Sequence, residues 1–116
     1  MVNQLANHVV TKVYLAGPIS LGGIATEEQI ASFMRTFSYN CAALRNLGFD
    51  VLNPCELTKR DSWEEYMKAT LPMVCESNVV AIQHQWERSR GSRLEVFIAL
   101  ELGIPVMKVE ELITTQ

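Results

Sequence analysis

The sequence has little of what metal, disulfide or membrane chemistry requires. It holds two histidines and three cysteines, and Cys41, Cys55 and Cys75 lie far apart. They form neither a C-x-x-C pair nor a disulfide framework, so a reducing, cytoplasmic setting with no bound metal is expected. No apolar run is long enough to span a bilayer. The N-terminus lacks a basic stretch followed by an apolar one, so neither a membrane partner nor a signal peptide is expected. Positive charge is not in excess: 10 Lys and Arg stand against 13 Asp and Glu, a net charge of −3, which argues against a nucleic-acid polymer as partner. Internal repeats, linkers and low-complexity segments are absent as well.

What is present is a well-filled apolar chain. Hydrophobic residues make up 48% of 116 positions, which excludes disorder and suits one compact domain. Residues 1–11 read as a loose lead-in, with His8 an exposed tail residue, and residues 12–116 as the domain. Lys12 to Ala16 is a short strand-like run closed by Gly17-Pro18. After a loop around Gly22-Gly23, Thr26-x-x-Gln29 forms a capping box that opens a long helix. Its apolar stripe is Ile30, Phe33, Met34, Phe37, Cys41 and Leu44, and Gly48 ends it. Cys41 reads as a small core residue, and Tyr39 falls off the stripe. Phe49 to Leu52 is a second strand, stopped by Asn53-Pro54. Ser62-x-x-Glu65 is a further capping box opening a helix that Pro72 should end or kink. Trp63 reads as packing on the domain. Asn78 to Ile82 and Val106 to Val109 are the third and fourth strands, and the state of the tail from Glu110 is left open.

Strands alternating with helices, apolar enough for burial on both faces, imply a parallel sheet covered by helices. The expected fold is single-domain α/β, a Rossmann-like (flavodoxin-like) three-layer sandwich with a parallel sheet of four to five strands. In such folds ligands bind outside the carboxyl ends of the strands. The loops after the first strand (Gly17 to Gly23) and after the third (Gln83 to Gly91) both emerge there.

The richest stretch is WERSRGSRLEVFIALELGIPV, from Trp86 to Val106. Gly103 and Pro105 supply its helix exit. Its helix entrance gathers Arg88, Arg90 and Arg93 with the hydroxyls of Ser89 and Ser92, a place for an anion such as phosphate. Glu95 has two readings. Ser92-x-x-Glu95 fits a capping box, which would place Glu95 in the first turn. Alternatively Glu95 faces a cleft as a nucleophile, on an apolar stripe with Ala99 and Leu102, where a half-buried carboxylate must have a partner or a task. Tyr14 either projects its hydroxyl towards the same place or is a core aromatic. Trp86 either stacks on a ligand or covers the core.

VYLAGPIS, a helix, FDVLNP, a third strand and then the Trp86 to Val106 stretch, in that order, resemble the nucleoside 2-deoxyribosyltransferase superfamily. The likeness is greatest to a small domain of unknown function within it, and it covers about Lys12 to Val106. It implies that Glu95 is the nucleophile at the anomeric carbon and that Tyr14 orients it, in two-step retaining chemistry. The implied function is cleavage or transfer of an N-glycosidic bond of a nucleotide or nucleoside, without a cofactor. The alternative is a catalytically silent domain that binds or sequesters nucleotides. Gly17, Pro18, Ile19, Ser20, Gly22 and Gly23, with Ser89 and Gly91, match the superfamily's nucleotide-phosphate segments. Asn78 and Trp86 complete the implied binding set.

Three departures bear on activity. Thr70 and Asn78 stand where the superfamily carries Asp, and Gln83-His84-Gln85 replaces Leu-Pro-Gly. Thr and Asn cannot protonate a leaving base as a carboxylic acid does, a service typically worth about 10²–10⁴-fold. His84 is the one residue nearby whose ordinary pKa suits that task. The final helix is apolar nearly all round, and with the resemblance this leads to the expectation of a homodimer or larger homo-oligomer. A further expectation is an ionised Glu95 looking into a hollow between the two glycine-bearing loops.

Overall fold

The computed structural model describes residues 10–115. The lead-in expected over residues 1–11, including His8, therefore lies almost wholly outside the described residues. Among these are four strands and four α-helices: β1 (Lys12–Ala16), α1 (Glu27–Asn46), β2 (Asp50–Leu52), α2 (Trp63–Glu76), β3 (Val79–Ile82), α3 (Arg90–Glu101), β4 (Val106–Lys108) and α4 (Val109–Thr114). Single 3-10 turns occupy Pro54–Glu56 and Trp86–Arg88.

The sheet is all parallel, in the order β2-β1-β3-β4. The order reverses between β1 and β3, so the loops leaving these two strands flank the crevice where such sheets take ligands. Alternation along β1 sorts the two layers. Val13 and Leu15 join Phe37, Cys41 and Leu44 of α1 and Val109 and Leu112 of α4. Tyr14 and Ala16 face the opposite way, with Val74 of α2 and Ala99 of α3.

The capping box at Thr26 forms as expected, with both reciprocal bonds present. Cys41 is buried and Tyr39 exposed, but the stripe of α1 is buried only from Phe37 onward; Ile30 and Phe33 are half-exposed and Met34 exposed. The reason is length. A 20-residue helix is about 30 Å long, whereas a five-residue strand spans about 17 Å. The front half of α1 has no sheet beneath it.

Pro72 does not end α2, which runs through it to Glu76. Pro72 is exposed, so the Lys68 carbonyl that loses its helical partner lies on the solvent side. Ser62 caps α2 by accepting the Glu65 N–H at 3.1 Å. Val109 opens α4 rather than ending β4, and the tail left open by the sequence is this short helix.

Candidate active site

Glu95 is 3% exposed, and its Oε2 accepts a 2.6 Å hydrogen bond from the Tyr14 hydroxyl. This bond joins β1 to α3 across 81 residues of sequence. The capping-box reading of Glu95 does not hold. The N-cap of α3 is Ser89, whose side chain accepts the Ser92 N–H at 3.1 Å. The helix therefore begins one turn earlier than the Ser92 box required. Glu95 falls in its second turn, beyond reach of the cap. Of its two expected neighbours, Ala99 is buried but Leu102 is 57% exposed, because it sits past the helix end.

The environment of the pair is apolar with hydroxyls set into it. Thr70 of α2 is fully buried, with Oγ1 at 3.8 Å from Met67 Sδ. Its hydroxyl dipole, like that of Tyr14, favours the ionised form of Glu95. Burial acts more strongly and pushes the Glu95 carboxyl up to about 7. Burial, the Glu95 charge and Tyr66 hold the Tyr14 phenol well above its ordinary value. Tyr66 is itself raised, by burial first and by Glu95 second. The sequence signal for Tyr66 and Thr70 was their spacing of four on one helix, which puts both on one face. The resemblance marks Thr70 only as a missing Asp.

A second polar link ties the two crevice loops together. Ser92 Oγ donates to the Gly17 carbonyl at 3.0 Å. Gln83 is buried: its backbone N–H donates to Ala16 O at 3.0 Å, and its side-chain oxygen accepts from Asn40 Nδ2 at 2.8 Å. Gly17 passes close to this amide: a Cβ there would come within 2.7 Å of Gln83 Nε2, and the Gln83 side chain would have to shift. Gln85 turns the chain after β3 in the left-handed region at φ 67°. Gln83 stood out in the sequence only as a departure from the superfamily, and Asn40 not at all, because amides carry no periodic signal.

The remaining expected site residues divide by position. Gly17 and Pro18 are buried and Ile19 half-buried at the end of β1. Ser20, Gly22 and Gly23 lie further out and exposed, in a left-handed turn where the Gly23 N–H is already bonded to Ser20 O at 3.0 Å. Gly91 packs against Met67 and Trp63. Trp86 is half-buried in its 3-10 turn. Asn78 is not brought to this end of the sheet. It precedes β3, and its Oδ1 accepts the Lys12 N–H at 2.7 Å, a strand's length from Gln83.

The arginines do not converge as an anion clamp. Arg88 donates to Gln85 Oε1 at 2.7 Å, Arg93 to Glu87 O at 2.7 Å, and Arg90 lies over the Trp63 ring at 3.6 Å. Trp63 thus packs on the domain as expected, with a cation on its face. Two clefts open on the α1 side. A cleft of about 130 Å³ opens between α1 and the crevice loops, lined by Pro18, Phe33, Thr36, Gln83, His84 and Gln85 among others. Neither it nor a neighbouring groove along Glu28, Gln29 and Arg35 is lined by Glu95 or Tyr14. His84 therefore faces the α1 side, while the carboxylate lies in the α2/α3 layer. Among the described residues no helix is long and apolar enough to cross a membrane.

Comparison with known proteins gives the following. A family described as a domain of unknown function (DUF4406) matches residues 11–108. No curated protein matches the chain. Similar solved structures include the following two. One is a 2-deoxyribosyltransferase from the psychrotolerant bacterium Bacillus psychrosaccharolyticus, at 24% identity and a TM-score of 0.61, covering 84% of this chain and 71% of that one. The other is a conserved protein from Enterococcus faecalis V583, at 21% identity and a TM-score of 0.64, covering 84% of this chain and 62% of that one. At these identities the likeness is one of fold.

Proposed function

Because the chain belongs to the family described as a domain of unknown function (DUF4406), and shares its fold with a 2-deoxyribosyltransferase, we propose that it cleaves or transfers the N-glycosidic bond of a nucleoside or nucleotide. The observation that carries this reading is the 2.6 Å bond from Tyr14 to a buried Glu95 at the ligand end of the sheet. A carboxylate whose pKa burial raises despite the Tyr14 and Thr70 hydroxyls is costly to keep unless it has a task. In the proposed reaction the ionised Glu95 attacks the anomeric carbon. The carbon–oxygen bond to Glu95 forms as the carbon–nitrogen bond to the base breaks, and Tyr14 holds the attacking oxygen in place. The base takes its proton from solvent, since Thr70 cannot supply one. Water or a second base then displaces Glu95. Gly17, Pro18, Ile19, Ser20, Gly22 and Gly23, with Trp86, Ser89 and Gly91, frame the substrate; Asn78 is left out of this set by its position. For C1′ to reach Glu95, α2 and α3 must part slightly.

One observation favours a second reading, a silent nucleotide-binding domain: Glu95 is sealed from solvent. A single experiment separates the two. Deoxynucleosides and their 5′-monophosphates are incubated with the protein and with Glu95→Ala, and free base is measured by chromatography beside calorimetric binding. Base release by wild type with a drop of roughly 10³-fold or more in the variant supports catalysis. Binding without release supports the silent domain. Neither release nor binding removes both.

A further inference from the structure

Glu95 is buried, so the attack proposed above needs a way in that the resting fold keeps shut. The seam between α2 and α3 shows where it lies. In a parallel sheet a helix that follows a strand begins at the ligand end, and α2 follows β2 as α3 follows β3. Trp63 and Arg90 are the first residues of these two helices, and the Arg90 guanidinium lies 3.6 Å over the Trp63 ring. One turn further in on the same face of α2 is Met67, which is buried. Met67 takes up the room that a side chain at position 91 would need: a Cβ on Gly91 would stand 3.1 Å from Met67 Sδ and 3.7 Å from Trp63 Nε1. The next residue inward on that face is Thr70, whose hydroxyl lies 3.8 Å from the same sulfur and favours the ionised form of Glu95. Gly91 and Glu95 are four residues apart and share a face of α3. Trp63, Met67 and Thr70 thus line one wall of the seam, and Arg90, Gly91 and Glu95 the other, over a depth of roughly 10 Å at 1.5 Å per residue.

We propose that Met67 is a movable plug between the ligand end and Glu95, and that the Arg90–Trp63 stack is the latch that keeps it seated until a substrate enters. The parts suit these tasks. Methionine is unbranched with three rotatable bonds, so it can swing aside while α2 stays in place. A β-branched side chain at the same position is stiff at χ1 and could not. The wall opposite is a glycine, so no side chain of position 91 interlocks with the sulfur. The latch lies at the surface, with Arg90 exposed and Trp63 half-buried. A cation over a ring in that setting is weak enough for a substrate's own contacts to replace it. Met67 and Arg90 are therefore positioning residues that control access to the carboxylate. The proposal takes its purpose from the glycosidic reaction above, but the opening itself is a property of the fold and is measured without turnover.

A water-soluble carbodiimide with a small amine converts accessible carboxyls to amides, and peptide mass spectrometry reads the rate at each one. The full chain is labelled as wild type, Met67→Ala, Arg90→Ala, Arg90→Lys and Val74→Ala. Val74 is fully buried in the same layer, one turn beyond Thr70, so its truncation controls for a loosened core. The exposed Glu101 supplies the reference rate. Wild type should label Glu95 far more slowly than Glu101. Met67→Ala should speed labelling at Glu95 by about tenfold or more, and Val74→Ala should not, because only the first opens the seam locally. Arg90→Ala should speed it about two- to fivefold, with Arg90→Lys between that variant and wild type. Met67→Ala no faster than Val74→Ala overturns the proposal, as does Arg90→Ala that matches wild type or wild type that labels Glu95 as fast as Glu101. Arg90 is exposed, so its variants decide the matter if Met67→Ala does not fold. The plug and the reaction fail separately. Base release with unchanged labelling in the variants removes the plug, whereas faster labelling without base release keeps the plug and removes the reaction.

Discussion

The two faces of β1 make opposite use of the same five residues. Val13 and Leu15 enter a layer whose buried members on α1 and α4 are Phe37, Cys41, Leu44, Val109 and Leu112. Tyr14, one position away, enters a layer where a carboxylate, a phenol and the Thr70 hydroxyl lie among aliphatic side chains. The first face shows what holds the sheet together. The second gives up part of that stabilisation to keep an acid in the dark, and the strand's period of two is what separates the tasks.

The largest expected effect breaks the first face. Leu44 is fully buried, and Leu44→Ala should lower unfolding free energy by about 2–5 kcal/mol in urea titrations, equally at pH 5 and pH 9. Nothing in that layer ties its stability to the protonation of Glu95.

The second face should behave differently. Glu95 has its pKa raised in the folded state, from 4.5 to about 7. Below about pH 4.5 it is protonated whether folded or unfolded and costs nothing. As pH rises through 7 the folded protein must carry the charge in an apolar site, and stability is lost. Glu95→Gln removes that burden. The variant should match wild type near pH 4 and exceed it by roughly 3 kcal/mol at pH 9, read as the difference between denaturation curves. A constant difference across pH would show that Glu95 is solvated. The same titration sets the direction for any turnover: base release should rise with pH through about 7, because only the ionised form attacks.

The smallest effect sharpens the contrast. Tyr14→Phe keeps the ring and removes the donor. It should cost about 1 to 2 kcal/mol, and it should raise the pH at which the gap between Glu95→Gln and its parent levels off, since the Tyr14 bond lowers the folded-state Glu95 pKa. A midpoint that does not move would mean that burial alone sets the ionisation.

Much of the fold was legible in advance. Four short apolar runs and two long amphipathic segments, punctuated by Gly17-Pro18, Gly48, Asn53-Pro54 and Gly103, fixed the order of elements. What failed was local competition. Ser89 and Ser92 are both good caps three residues apart, and the bond from the Ser92 N–H to Ser89 Oγ shows that the helix starts at the earlier one. Pro72 looked like a stop because sequence does not reveal which carbonyls have water beside them. The pairing of Tyr14 with Glu95 came from family resemblance, since no periodicity links residues 81 apart. The arginines gathered along the chain but not in space, each taken up by a nearby carbonyl, amide or ring. Asn78 was misplaced because β3 carries it to the far end of the sheet.

The overhang of α1 bears on how this molecule would come apart. Its turns up to about Thr36 are held by their own backbone ladder and the Thr26 cap, with little packed against them. Amides there can open to solvent a turn at a time. From Phe37 onward the same helix is locked to the sheet and opens only when the whole molecule does. One continuous helix thus carries two protections against exchange, and the boundary between them marks where its support begins.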